Sequence, residues 1–365
     1  MAVRQSALEG MGMNPEFWNG RRVFLTGHTG FKGSWLAIWL HKMGAVVTGY
    51  SLAPDRESLF IKARVSEVVH SLDGDIRDHK RLLSSMRDSN SELVIHMAAQ
   101  ALVRTSYADP VETFSTNVMG TVHVLEAARQ VEGIQAVLNV TTDKCYHNQE
   151  WVWGYRETEP LGGHDPYSAS KACSELVTAS YRASFAGKKS QAIASARAGN
   201  VIGGGDFAQD RLVPDIVRAN LADIAPVLRN PKAIRPWQHV LEPLSGYLTL
   251  SQSLLTHGQR DAQAWNFGPW IHDCRSVSWI AERIAKQLGG SQAWRAAQGE
   301  SVHEANTLKL DISHAVAHLG WAPRLDIGKA VDWTAQWYQA TSQGADPRYL
   351  CETQIEQYMR LLEDL

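Results

Sequence analysis

Thr142, Asp143 and Lys144 stand side by side in the stretch VTTDKCY, and Tyr167 and Lys171 lie one helical turn apart in YSASK. A hydroxyl, a carboxyl and an amine close to a phenol and a second amine could move protons at several atoms of one substrate. Residues at i and i+4 share a helix face, so a cationic Lys171 can sit near the Tyr167 phenol and favour its phenolate. That would make the tyrosine a usable base. An ordinary phenol has a pKa of about 10, so positive surroundings are required near neutral pH. YxxxK alone is a weak signal, because many surface helices contain it, and its position downstream of VTTDKCY is what gives it weight.

These groups need elements to hold them, and the first comes earlier in the chain. TGHTGFKGSW sets Gly27, Gly30 and Gly33 in GxxGxxG spacing, with Thr29, Phe31 and Lys32 in the same turn. The segment RRVFLTG before it reads as a buried strand, and Ser34 to Gly44 after it as an apolar helix stopped by glycine. Glycines in that setting let the backbone approach a pyrophosphate, whose charge is met by free N–H groups at the helix start. A dinucleotide is the implied ligand, and its oxidised nicotinamide would add positive charge beside Tyr167. No GKS or GKT follows, so a P-loop is excluded. Which dinucleotide binds is left open: the second strand ends in GYSLAPDR, with Ser51 where an acid would bond the ribose hydroxyls. Arg56 could meet a 2′-phosphate or be solvated. Asp75 and Ile76 in DGDIRD could flank the adenine or form a surface turn.

Strand and helix alternate through the first half of the chain. AVVTGYS, ELVIHMAA and AVLNVTT read as further strands, with helices at KRLLSSMRD and from Val111 through Arg129. Such alternation predicts an α/β fold of Rossmann type, a doubly wound parallel sheet with helices on both faces. After QAIASARAGNVIGGGD the alternation loosens. The expected organisation is a dinucleotide-binding domain over residues 15–200 and a smaller mixed substrate lobe over 201–350, some of whose segments return to the first. Residues 1–14 are expected to be an N-terminal tail, and the charged end after Gly344 is a candidate terminal helix.

In 365 residues, 44% are hydrophobic and 20% charged, and the net charge is −2, so the chain can bury a large core and has no global basic excess for nucleic acid or an anionic membrane. Small metabolites are the expected partners. Cys145, Cys173, Cys274 and Cys351 show neither a disulfide framework nor zinc-ligand spacing, which fits a reducing cytoplasm. No metal is expected: His96 and His239 lack HxxxH or HExxH company and read as structural. No leader or membrane span is evident. Trp237, Trp265 and Trp270 are expected mostly in the core, where one could stack on a base.

Taken together, the glycine turn, HMAAQ, Asn117, VTTDKCY and the Tyr167–Lys171 pair resemble the extended short-chain dehydrogenase/reductases that modify nucleotide sugars. TTDKCY, RAGNVIGGGDFAQDRLVPD and RPWQHVLEPLSGYL are similar to the 4,6-dehydratases of cytidine-linked sugars. That resemblance implies NAD, a homodimer built on the tyrosine-bearing helix and its neighbour, and a CDP-linked hexose as substrate. It implies a cofactor site that includes Ala98, Ala99 and Gln100 of HMAAQ, with Asn117 bonding the main chain nearby and Lys171 on the nicotinamide ribose. Tyr167 would take the proton of the 4-hydroxyl, Thr142 would orient that hydroxyl, and Asp143 would protonate the hydroxyl leaving carbon 6. Arg104, Asn200, Arg211 and Arg235 would anchor the sugar nucleotide.

Lys144 departs from many related dehydratases of other nucleotide sugars, in which glutamate there is assigned as base for the carbon-5 proton. Either desolvation strips its proton or it serves as a cation that stabilises the enolate. A Lys144–Asp143 pair would also lower the pKa of the acid. A 4-epimerase and a non-catalytic dinucleotide-binding protein are the competing readings. An epimerase needs no acid for a leaving hydroxyl, and a non-catalytic relative usually loses the tyrosine or the lysine.

Overall fold

The computed structural model describes residues 13–185, 191–290, 294–298 and 305–363. At its centre are seven strands: β1 (Arg22–Thr26), β2 (Val46–Ser51), β3 (His70–Asp73), β4 (Leu93–His96), β5 (Ala136–Val140), β6 (Ala192–Ala198) and β7 (Ala264–Phe267). Their order is β7-β6-β5-β4-β1-β2-β3, and every pairing is parallel. β4 and β5 are buried at all positions, as apolar runs must be in a sheet covered on both faces. The pleat sends Phe24 to one face, with Tyr50, Val94 and Val124, and Val23 and Leu25 to the other, with Trp35 and Trp39.

The strand order reverses at β1, which pairs with β2 on one side and β4 on the other. Parallel sheets of this kind bind ligands outside the carboxyl ends of the strands at such a reversal. Helix α1 (Phe31–Lys42) follows β1, and its Trp35 indole donates to the carbonyl of Gly204 at 2.9 Å, tying it to the chain beyond residue 200.

Helix α2 is His79–Asp88, and the segment expected as one helix from Val111 has three parts: Pro110–Phe114, a π turn Ser115–Met119 and Gly120–Gln130, together α3. The π turn carries the buried Asn117, and such bulges inside helices frequently mark functional positions. Helix α4 (Pro166–Ser184) starts cleanly, with Pro166 in its first turn and the Asp165 carboxylate accepting from the Ser168 N–H at 2.9 Å.

Beyond β6 come α5 (Leu212–Leu221), α6 (Leu241–His257), α7 (Val277–Gln287), α8 (Ile327–Ser342) and α9 (Pro347–Glu363). β7 lies beside β6, so part of this later chain extends the first sheet. Buried Glu242 of α6 accepts from the Tyr358 hydroxyl of α9 at 2.7 Å and from the Arg324 N–H at 3.0 Å, holding the C-terminal helix down. Among the described residues no helix is long and apolar enough to cross a membrane, and the four cysteines are unpaired.

Candidate active site

The glycine turn is a close-packed cradle. Gly27 has φ +77°, and a Cβ there would stand 2.7 Å from the Ala98 nitrogen; a Cβ on Gly33 would meet the Gly27 carbonyl oxygen at 2.1 Å. Only glycine fits at either position. Gly30 caps α1 without a side-chain bond, which leaves the first N–H groups of the helix to meet an anionic group. The Thr29 and Ser51 hydroxyls are 2.8 Å apart at the end of β2, where a ribose would lie. Past β3, the Asp75 carboxylate is gripped by the Arg77 guanidinium, which holds its pKa below the usual range, and Ile76 packs beneath Gly120. Asn117 accepts from the Gln100 N–H at 2.9 Å and donates to the Gln100 carbonyl at 3.0 Å, which orders the strand end after Ala98 and Ala99. These features together fit a dinucleotide.

The proton-moving groups come from two elements. β5 runs through Thr141 into a 3-10 turn, Asp143–Cys145, that Thr142 caps. The Thr142 hydroxyl donates to Asp143 Oδ1 at 3.1 Å, while Asp143 Oδ2 is buried with no hydrogen-bond partner. A Cβ on Gly199 would stand 3.1 Å from that oxygen, so the missing side chain leaves it room. Asp143 is 2% exposed, and burial pushes its pKa up; Lys144, Thr142 and Arg235 pull the other way and do not prevail. The opposing pull of Lys144 foreseen from the sequence is therefore present, and desolvation outweighs it.

Tyr167 enters from the start of α4. Burial pushes its phenol up to about 12, opposed by the Thr142 hydroxyl and the Arg211 charge, with Asp143 and Asp165 adding to the rise. The i to i+4 spacing predicts Lys171 as the cation beside the phenol, but the amine instead donates to the Val140 carbonyl at 3.3 Å. A carbonyl at the strand end is the nearer acceptor, and Arg211 supplies the positive charge that acts on Tyr167. Burial lowers Lys171 to about 8, with Glu175 and Cys145 opposing. Lys32 is lowered to about 7 by burial and by the Lys171 and Arg211 charges, and its amine lies 5.9 Å from the centre of the Tyr247 ring.

Thr142, Asp143, Tyr167 and Lys32 line one cleft of about 300 Å³, together with Lys144, Asn200 and the four arginines Arg104, Arg211, Arg229 and Arg235, while Lys171 lies outside its lining. Arg104 pairs with Asp210 at 2.8 Å and Arg211 with Asp206 at 2.9 Å. Arg235 donates to the carbonyls of Ile234, Ala305 and Asn306. His96 contacts Thr26 at 2.8 Å, and buried His239 sits edge-on to Trp35 and Trp333. No group of metal-ligating side chains occurs among the described residues. Trp265 is fully buried and Trp237 lines the cleft, whereas Trp270 is half-exposed. Sequence reasoning missed the buried pair Glu175–Arg197 at 2.9 Å, next to Thr141 and Tyr146. Its one legible sign is that Glu175 continues the face of Tyr167 and Lys171 by a further turn.

Residues 24–334 match the family model described as GDP-mannose 4,6 dehydratase. The chain belongs to that family. It is 50% identical over 353 residues to the CDP-glucose 4,6-dehydratase of Salmonella typhimurium, covering 95% of this chain and 98% of that protein. A dTDP-glucose 4,6-dehydratase of Streptomyces venezuelae, solved with NAD and TYD bound, superposes with a TM-score of 0.76 at 23% identity, covering 90% of this chain and all of that one. A UDP-glucose 4-epimerase of Stenotrophomonas maltophila, solved with NAD, gives 0.78 at 22% identity over 89% of this chain and all of that one. Dehydratase and epimerase thus share the frame of this family, and the chemistry depends on the groups in the cleft.

Proposed function

We propose that the chain is a lyase that converts CDP-D-glucose to CDP-4-dehydro-6-deoxy-D-glucose and water. The observation that carries this is the convergence of Asp143 and Tyr167 on one cleft, the carboxyl with a raised pKa and one buried oxygen left without a partner. A raised pKa favours the protonated carboxyl, the form that can donate to a leaving hydroxyl, which a 4-epimerase does not require. The 50% identity to the Salmonella typhimurium enzyme supports the cytidine-linked substrate.

In this reading Tyr167 accepts the proton of the 4-hydroxyl, and Thr142 orients that hydroxyl. Asp143 then protonates the hydroxyl that leaves carbon 6. Lys144, on the cleft wall, takes the carbon-5 proton as water leaves and returns it to carbon 5 when hydride reaches carbon 6. NAD, held by the glycine turn and the Gln100 strand end, supplies the hydride acceptor at carbon 4 and the donor at carbon 6. Arg235, Arg211 and Asn200 bind the sugar nucleotide, and Arg104 stands at the rim. Residues 15–200 act mainly as the cofactor domain and most of 201–350 as the substrate lobe.

The working unit in this proposal is a cytoplasmic homodimer. Val111, Phe114 and Met119 of α3 and Leu176 of α4 form an exposed apolar face that a second copy would cover. Sedimentation should give roughly twice 40.5 kDa for the protein and a single-chain mass for Leu176→Glu. A monomeric parent protein would refute the dimer.

The reaction is tested by incubating the protein with CDP-glucose, and in parallel with UDP-glucose and dTDP-glucose, and following the alkaline absorbance of a 4-keto sugar. Formation from CDP-glucose in preference to the others is expected. No keto sugar from CDP-glucose would overturn the assignment.

A further inference from the structure

The stretch that carries Thr142 and Asp143 is fixed to its surroundings by charged groups beneath it. At one end the Thr141 hydroxyl donates to Glu175 Oε1; at the other, Arg197 Nη1 donates to the Tyr146 hydroxyl at 2.8 Å, with the guanidinium 4.9 Å from the Tyr146 ring centre. Glu175 and Arg197 bond each other at 2.9 Å and are each 3% exposed. Glu175 Oε2 also accepts from Ser195 at 2.7 Å, and Arg197 also donates to the Glu157 carbonyl at 3.0 Å.

Three elements meet in this pair: α4, which carries Tyr167; β6, which carries Arg197; and the end of β5, which carries the Thr142–Asp143 turn. A buried ion pair is a poor way to gain stability, because desolvation consumes most of its attraction, and apolar residues of similar volume commonly do as well. Its directional bonds do something apolar packing does not. They fix the angle and distance between one backbone and another.

We propose that the Glu175–Arg197 pair is a positioning device that holds the Asp143 carboxyl and Thr142 hydroxyl in register with the Tyr167 phenol, and that the dehydration rate depends on it. Neither residue lines the cleft, so the pair acts through Thr141 and Tyr146. A displacement of reacting groups by about 1 Å can cost on the order of a hundredfold in rate. Losing either link therefore slows turnover while leaving substrate affinity nearly unchanged.

The proposal rests on the dehydratase reading, and its test separates the two. Thr141→Val and Tyr146→Phe each cut one link to the pair and leave Glu175 bonded to Arg197, which avoids the misfolding that an unpaired Glu175 or Arg197 invites; Tyr146→Phe also removes the bond its hydroxyl donates to Asn266 at 2.8 Å. Each is expected to melt like the parent, to keep the KM for CDP-glucose within about twofold, and to lose roughly ten- to a hundredfold in kcat per folded protein. Glu175→Gln, with and without Thr141→Val, supplies a cycle: if both act through one contact, the double variant is no slower than Glu175→Gln alone. Parental kcat in both link variants, or fully additive losses in the cycle, would overturn the positioning role alone. An inert parent protein would overturn the reaction and this role with it.

Discussion

Thr142 spends its hydroxyl proton on Oδ1 of Asp143 at 3.1 Å, and the second carboxyl oxygen is left buried and unpartnered beside Gly199. One oxygen is thus held and the other is free to carry a proton toward a ligand. The arrangement suits a carboxylic acid that donates once per cycle.

Asp143→Asn keeps that shape and removes the proton. Oxidation at carbon 4 should persist, while water loss slows by about 10²–10⁴, the usual contribution of a general acid. A single-turnover experiment that records near-ultraviolet absorbance of reduced nicotinamide and the yield of keto sugar should therefore find the first signal accumulating ahead of the second. Equal slowing of both would remove Asp143 from the acid role.

Tyr167→Phe tests the other half of the convergence. The ring keeps its packing at the start of α4, so the melting temperature should barely move, whereas kcat should fall by about 10²–10⁴. Turnover near the parental rate would mean that another group accepts the 4-hydroxyl proton.

Arg235→Ala should raise KM for the nucleotide sugar about tenfold or more, the scale of one charge-assisted hydrogen bond. Its charge also pulls the Asp143 pKa down, so removal lets that pKa rise further and favours the protonated acid. The kcat should accordingly change less than KM. Steady-state kinetics that found KM unchanged would place Arg235 away from the substrate.

Much of the frame could be read from residue order. β1, β4 and β5 announce themselves because strands buried on both faces must be largely apolar, and the glycine turn is marked by residues that no others can replace sterically. β7 is a different matter: AWNF is short, and its pairing with β6 joins segments far apart in the chain, a contact that local periodicity does not encode. The π turn at Asn117 is equally silent, since the Pro110–Phe114 flank before it is too short to set a helical phase against which a one-residue shift could be read. In the cleft, residue types singled out Asp143 and Tyr167, which the fold brings to one wall, but not the direction of the Lys171 amine, which depends on where the Val140 carbonyl falls. Glu175 and Arg197 escaped notice because charged residues default to the surface, and only the packed fold reveals that each is the other's partner.

We propose that Lys171 acts as a cation on the nicotinamide ribose, the role the family resemblance implies, and burial lowers its pKa from 10.5 to about 8. The charge is therefore lost as pH rises through about 8. Asp143 must likewise be protonated to act, so both groups push the profile the same way, and kcat/KM for CDP-glucose should decline on the alkaline side from about pH 8. The sign for stability is opposite. Between about 8 and 10.5 the unfolded chain holds a proton on this lysine that the folded chain has released, so this group makes folding more favourable as pH rises across that window. Lys171 therefore gives no reason for unfolding where activity falls, and thermal melts run in the same buffers should separate the two. Glu175 opposes the burial effect on Lys171, so Glu175→Gln should move the alkaline limb to lower pH. A limb that stays in place in that variant, or a parental profile flat well above pH 8, would show that Lys171 does not set the alkaline loss.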